Sequence, residues 1–256
     1  MRNFMAICKK ELSSYFYSPI AYVVITIFLA ISGYFFQNIL SFYIMISFNA
    51  MRNPYLVQGL NVTNGIFRPL FGNTSVIMLL MMPLLTMRLL AEEKKSGTFE
   101  LLLTYPIRDI ETVLGKFFAC LLVFAIMLGL TLVYPLFLAF FAPIEFGPLL
   151  ASYLGLLLMG GAFIAFGLLA SSLTSNQIVA AAISFGALLI FWLIGFSAQS
   201  VGPVLGGILS HLSLLEHFDT FSKGLIDTRD VIYYLNVTVF CLFLTIRALE
   251  SNKWRG

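Results

Sequence analysis

Charge is what this sequence has least of. Asp, Glu, Lys and Arg together make up 11% of its 256 residues, against about 25% in an ordinary soluble domain. A chain so poor in charge has no means of covering a water-facing surface, so its solvent is lipid. The net charge of +3 is too small to hold a nucleic-acid backbone, and no nucleic-acid partner is expected. Cysteine is scarce as well. Cys8, Cys120 and Cys241 are scattered without metal-ligand spacing, and the last two sit in apolar runs, where a thiol acts as a small hydrophobe. Histidine is limited to His211 and His217, with Glu216 and Asp219 nearby. Helical ligands favour spacings of about three or four and zinc commonly takes at least about three protein ligands, so no metal is expected. The phosphate-cradling pattern Gly-x-x-x-x-Gly-Lys-Ser/Thr is missing too. Gly115-Lys116 is followed by two phenylalanines and lacks the earlier glycine. The chain is therefore expected not to hydrolyse ATP and to bind no cofactor of its own.

Apolar length is what the sequence has in abundance. Hydrophobic residues make up 60% of it, and they come in long unbroken runs rather than the apolar–polar alternation of a membrane β-barrel. A helical crossing needs about 20 mostly apolar residues. Six segments qualify: 19–40, 74–90, 112–141, 148–169, 178–198 and 231–249. The expected fold class is an all-α integral membrane protein, a six-transmembrane-helix bundle forming a single domain over residues 1–256. The first run begins near residue 19 and is long enough to span, so it reads as a retained anchor rather than a cleaved leader.

Lys and Arg set the orientation. With an even number of spans both termini share one side, and that side holds Arg2, Lys9, Lys10, Arg88, Lys94, Lys95, Arg108, Lys116, Arg247, Lys253 and Arg255. Only Arg52, Arg68, Lys223 and Arg229 fall on the other. Both termini and the 91–111 loop are thus expected in the cytoplasm. No charged residue falls near the middle of a span, which argues against an ion-coupled secondary transporter or a pump built from this chain alone.

Four segments outside the span centres carry information. Residues 2–16 read as an amphipathic surface helix within an interfacial segment 1–18. Phe4, Met5, Ile7, Cys8, Leu12, Tyr15 and Phe16 share one half of the helical wheel, and Lys9, Lys10, Ser13 and Ser14 the other. Glu11 is out of place in the apolar half; it either pairs with a neighbouring lysine or contacts a partner. In the 88–116 stretch the charges come first, and Gly97 permits a sharp turn. Thr98 then caps a short helix with Glu100 in its first turn, and Pro106 ends it. Leu101 to Leu103 give it an apolar patch suited to a groove on another protein. On the outward side, residues 41–71 read as a packed cap, with a lid or partner surface as the alternative, and 199–230 as apolar residues interleaved with polar ones and broken by Gly202, Gly206 and Gly207. Gly161, Ala165 and Ala170, and Gly202 with Gly206, offer close helix packing.

The 88–116 run resembles the signature of type-2 ABC exporter permeases (the ABC-2 type), roughly Glu-x-x-x-Gly-Thr-x-Glu-x-Leu-Leu-x-x-Pro followed by Gly-Lys. Glu93, Gly97, Thr98, Glu100, Leu102, Leu103, Pro106, Gly115 and Lys116 match it in order. The tail, with His217-Phe218, Phe221, Gly224, Ile226-Asp227, Tyr233, Leu249-Glu250 and Trp254, resembles the gliding-motility-permease subgroup. The resemblance implies that the 97–105 helix is a coupling helix on a separate ABC ATPase subunit, with Glu93 and Glu100 fixing its position. It implies that the N-terminal helix, with Lys10-Glu11, is a connecting helix bracing that interface. It makes the 199–230 segment short re-entrant helices on the outer face. It also implies a second permease copy, or a related permease, completing the pathway, with ATP and Mg on the partner ATPase. The location it implies is a bacterial inner (plasma) membrane.

Two other readings fit the same residues. A non-transporting scaffold that anchors a motility or assembly machine would share the topology and the ATPase contact. An intramembrane enzyme would need polar catalytic groups clustered within the spans, and the sequence has none. Spans rich in Phe, Leu and Ile permit a lipid or amphipathic cargo without specifying one.

Overall fold

The computed structural model describes residues 2–52, 61–98, 108–198 and 202–253. Among them the chain is helical, with no strand. In order come α1 (Arg2–Tyr17), α2 (Pro19–Arg52), a π-helical turn (Thr63–Phe67), α3 (Arg68–Thr86), α4 (Arg88–Lys95), α5 (Asp109–Leu130), α6 (Val133–Ala139), α7 (Phe146–Leu173), α8 (Gln177–Ala198), α9 (Pro203–Leu212), α10 (Leu214–Ser222) and α11 (Thr228–Lys253). Six helical stretches are long and apolar enough to cross a membrane: Pro19–Asn49, Thr63–Lys95, Asp109–Ala139, Phe146–Leu173, Gln177–Gly195 and Thr228–Ser251.

The spans expected from composition all appear, and most are longer. The largest difference is in α2, which continues unbroken to Arg52, so residues 41–52 extend the first span rather than forming part of a cap. Gln37, Asn38 and Ser41 lower the local hydropathy there without breaking the backbone, and no proline intervenes between Pro19 and Pro54. The polar side chains fold back onto their own helix: Asn38 Nδ2 donates to Tyr34 O at 3.0 Å and Ser47 Oγ to Tyr43 O at 2.8 Å. Pro19 separates α1 from α2 as its position predicts, with the Ser18 hydroxyl accepting from Ile20 N–H.

Burial sorts the spans into an inner and an outer set. The most apolar windows of the α3–α4 and α7 spans are 78% and 72% buried by the rest of the chain, against 22% for α2, 22% for α8 and 28% for α11. The α7 helix is the axis, packing against α3, α4, α5, α8, α10 and α11. Its small residues make this possible. A Cβ on Gly167 would lie 1.9 Å from Thr86 Oγ1, and one on Gly160 would lie 2.1 Å from the Phe124 ring. Gly161, the position expected to allow close packing, has its nearest neighbour 3.9 Å away, so the tight contacts fall on the residues around it. Gly167→Val will therefore cost about 1–3 kcal/mol through overpacking, whereas Gly161→Ala will leave thermal stability in detergent within about 0.5 kcal/mol of the parent. Equal melting midpoints for the two variants would contradict this packing.

The α3–α4 span is interrupted at Met87, which keeps helical backbone angles and donates its N–H to Pro83 O at 2.9 Å. Pro83 inside α3 has no N–H to give, Thr86 Oγ1 donates to Met82 O at 2.9 Å, and the helix restarts as α4. The α4 helix packs on α7 and meets α1 and α5 through Glu93. This end of the bundle, with α1, α4 and the start of α5, is the proximal end. The distal end carries α9, α10 and the start of α11.

Candidate functional site

The proximal end is built around one buried lysine. Lys116 sits two turns into α5 and is 1% exposed. Its Nζ lies 2.8 Å from Glu11 Oε1 on α1 and 2.9 Å from Glu93 Oε1 on α4. Lys10 closes the group from the surface, with Nζ 3.2 Å from Glu93 Oε1 and 3.7 Å from Glu11 Oε1. Two carboxylates thus meet two ammonium groups, and the cluster is neutral. Partial burial lowers the affinity of Lys10 for its proton, but Glu93 and Glu11 outweigh this and hold its ammonium above the usual lysine range. Glu11 and Glu93 are each only 9% exposed, so neither can keep its charge there without a cation in contact.

The backbone brings these side chains together through specific close approaches. A Cβ on Gly115 would lie 2.8 Å from Ile7 Cγ2 and 3.5 Å from Cys8 N, so α1 can lie flat on α5 only because residue 115 is glycine. The Phe4 and Phe118 rings meet edge-on at 5.9 Å one turn further along. Glu11 falls in the apolar half of α1 because that half faces α5, where Lys116 is waiting. The question raised by its position is answered within the chain: its partners are Lys116 and Lys10.

The α4 helix is fixed from two sides. Ser171, buried at the end of α7, accepts from Leu90 N–H at 3.0 Å and Ala91 N–H at 2.9 Å, and donates to Met87 O at 3.0 Å. Those amides lie in the first turn of α4, where helical partners are lacking, and one hydroxyl satisfies them with its full bonding capacity. Lys94 Nζ donates to Ser172 O beside it. On the α1 side, the Arg88 guanidinium lies 4.2 Å over the Tyr15 ring, and Tyr15 Oη donates to Leu85 O at 2.7 Å.

Beyond α4 the chain turns at Gly97, whose φ of +71° is left-handed. That is the helix-ending conformation a side chain disfavours. Ser96 Oγ donates to Glu92 O at 2.9 Å and lies 2.8 Å from Thr98 Oγ1. Thr98 Oγ1 also donates to Glu93 O at 3.4 Å.

Of the residues singled out in the sequence, the structure gathers Lys10, Glu11 and Glu93 into one cluster and sets Gly97 and Thr98 at the turn that follows. Glu100, Leu102, Leu103 and Pro106, and nearly all of the short helix expected over 97–105, lie outside the described residues. Sequence reasoning did not find Lys116 as the centre, nor Ser171, Arg88 and Tyr15 as its supports. One signal was present: a carboxylate in the apolar half of an amphipathic helix requires a buried cation, and Lys116 is the lysine set in an apolar helix.

The distal end holds a second polar group. His217 Nδ1 lies 2.6 Å from Asp230 Oδ1 on α11, its Nε2 lies 3.2 Å from His211 O on α9, and its ring stacks on Tyr233 at 3.8 Å. No group of three metal-ligating side chains gathers among the described residues.

The six apolar helices define a multi-pass membrane protein. Residues 46–210 match a known family described as ABC-2 family transporter protein. That match covers well over half of the sequence, and the chain belongs to this family of transporter permeases. It takes in the turn at Gly97 and the Gly115-Lys116 pair, while Lys10, Glu11 and the tail lie outside it. No curated protein matches the chain.

Proposed function

We propose that this chain is the membrane subunit of an ATP-driven exporter, paired with a second permease and driven by separate ABC ATPase subunits bound at the proximal end. ATP and Mg belong to those subunits. The 97–106 segment receives their movement, and the proximal end lies in the cytoplasm of a bacterial inner membrane. The resemblance of the tail motif supports kinship with the gliding-motility permeases.

The observation that carries this reading is the Lys116 cluster. It joins α1, α4 and α5 through one side chain, and α4 is the helix that leads into the turn at Gly97. A push on that segment moves α4, and the buried ion pairs require α1 and the start of α5 to move with it. Rigid elements with two packings are what a switching pathway needs. The α9–α10 pair, in this reading, forms the re-entrant helices that close the outer side.

The experiment is purification of the tagged chain from its native membrane in mild detergent, with identification of co-purifying proteins and an ATPase assay. A P-loop ATPase is expected to come with it. Gly97→Pro forces φ to about −65° where the turn holds +71°, and Glu100→Lys reverses the charge of the segment. Both variants will insert normally yet lower partner-stimulated function by about ten-fold or more. If both keep full ATPase association and activity, the coupling role is wrong. Recovery of the chain alone and stable from native membrane sinks the exporter reading itself.

A further inference from the structure

Two cavities adjoin at the distal end. The larger, of about 860 Å³, lies between the start of α3, the end of α8 and α10, with Arg68, Glu216 and Asp219 in its wall. The smaller, of about 510 Å³, runs along α2 past Phe35, Ile39, Phe42 and Ile46. Asn64 and Pro69 stand in the walls of both, so a charged chamber opens beside an apolar groove.

The chamber has two polar poles. At one, Asp219 is shared between two cations, with Oδ1 2.7 Å from Arg68 Nη2 and Oδ2 2.6 Å from Lys223 Nζ. Partial burial pushes the Asp219 carboxyl up, but the hydrogen bonds from Lys223 and Arg68 outweigh it and hold it below the usual carboxylate range. Two cations on one carboxylate leave positive charge and guanidinium donors to spare, a pole for a phosphate. At the other pole is Glu216. It lies one helical turn before Asp219 on α10, and its carboxylate makes no ion pair among the described residues. Residues so spaced have Cβ atoms about 5–6 Å apart on one helix face. A phosphate and an ammonium two carbons apart would span these poles.

The groove supplies the other half of the ligand. At about 1.5 Å per residue, the 34 residues of α2 reach well beyond a hydrocarbon core of about 30 Å. Yet its far part still exposes Phe42 at 59% and Phe48 at 64%. These exposed apolar side chains run on from the charged chamber and suit an acyl chain as their cover.

We propose that this cleft binds a phospholipid-like amphiphile with a zwitterionic phosphoethanolamine head, phosphate toward Arg68 (with Lys223 helping to neutralise Asp219 from outside the chamber wall), amine on Glu216, and acyl chain along the Phe35–Ile46 groove of α2. An anionic phospholipid without the amine would meet Glu216 as a like charge. A free head group would leave the groove empty. The site lies at the opposite end from the Lys116 cluster, so its test is independent of ATPase coupling.

The test uses the full chain in detergent micelles, with calorimetric titration of dihexanoyl phosphatidylethanolamine, dihexanoyl phosphatidylglycerol and phosphoethanolamine. The ethanolamine lipid is expected to bind most tightly. Glu216→Gln, which breaks no ion pair among the described residues, should weaken it by about ten-fold or more and abolish the preference over the glycerol lipid. Phe42→Ser should weaken the lipid and leave phosphoethanolamine unchanged. Equal binding of the two lipids, or a Glu216→Gln variant that keeps the preference, overturns the head-group assignment. Phosphoethanolamine binding as tightly as the lipid removes the groove. Lipid-independent disulfide cross-linking between two Phe42→Cys copies would assign the groove to a second chain instead.

Discussion

Lys116→Met will destabilise the protein by about 3–5 kcal/mol, the range seen when one partner of a buried ion pair is removed. The side chain is 1% exposed and holds two carboxylates, Glu11 and Glu93, at 2.8 and 2.9 Å. Methionine fills nearly the same volume, so packing at Gly115 and Ile7 is kept and the loss is electrostatic. Lys10 cannot substitute, because its ammonium already serves the same two oxygens from the surface and its side chain is 63% exposed. Lys10→Met should for that reason cost less than about 1 kcal/mol. The measurement is the thermal midpoint of the purified chain in one detergent, read for both variants and for the triple change Lys116→Met, Glu11→Gln, Glu93→Gln. Removing all the buried charges together should recover most of the loss, since neutral amides need no cation. A Lys116→Met midpoint equal to the parent, or a triple variant worse than the single, would mean that the cluster does not hold α1 and α4 to α5.

The cluster also marks the limit of what the residues reveal in one dimension. Six crossings were legible because each is an apolar run near the length of a bilayer, and nothing local competes with that signal. The full length of α2 was not, because hydropathy falls at Gln37, Asn38 and Ser41 while the helix continues. Periodicity placed α1 correctly and isolated Glu11 as anomalous. It gave no access to the reason, which sits 105 residues away on α5. Gly115-Lys116 was noticed as a motif, yet its two roles are only visible together: the glycine lets α1 approach, and the lysine neutralises what α1 and α4 bring. Ser171 is harder still. A serine at the end of an apolar helix looks like any other, and its function comes from two amides of α4 that donate to it across 80 residues of chain or more. Among the small residues of α7, composition could not rank positions. Gly160 and Gly167 are tight and Gly161 is not, because tightness depends on which neighbour each one faces.

Asp230→Ala will release the distal end at a cost of about 3 kcal/mol. His217 Nε2 faces the His211 carbonyl at 3.2 Å; a carbonyl oxygen only accepts, so Nε2 carries a proton and donates. Nδ1 is then left to hydrogen-bond the Asp230 carboxyl at 2.6 Å. The His217 ring is stacked on Tyr233 and flanked by Tyr234, whose hydroxyl donates to Leu214 O at 2.6 Å. These contacts tie α9, α10 and the start of α11 into one unit. With Asp230 gone, the buried Nδ1 loses its carboxylate partner on α11 while the ring stays stacked on Tyr233. The sequence set His217 beside Glu216 and Asp219, but its partner is thirteen residues on, in the next long helix. A double-mutant cycle with His217→Phe, which keeps the stack on Tyr233, isolates the pair. The expected coupling is about 1.5 kcal/mol or more, with faster amide exchange confined to α9 and α10 and no change at α1 and α4. Strict additivity of the two changes would show that the imidazole and carboxylate are merely neighbours. Faster exchange spreading to the proximal end would show that the bundle does not separate its two polar groups.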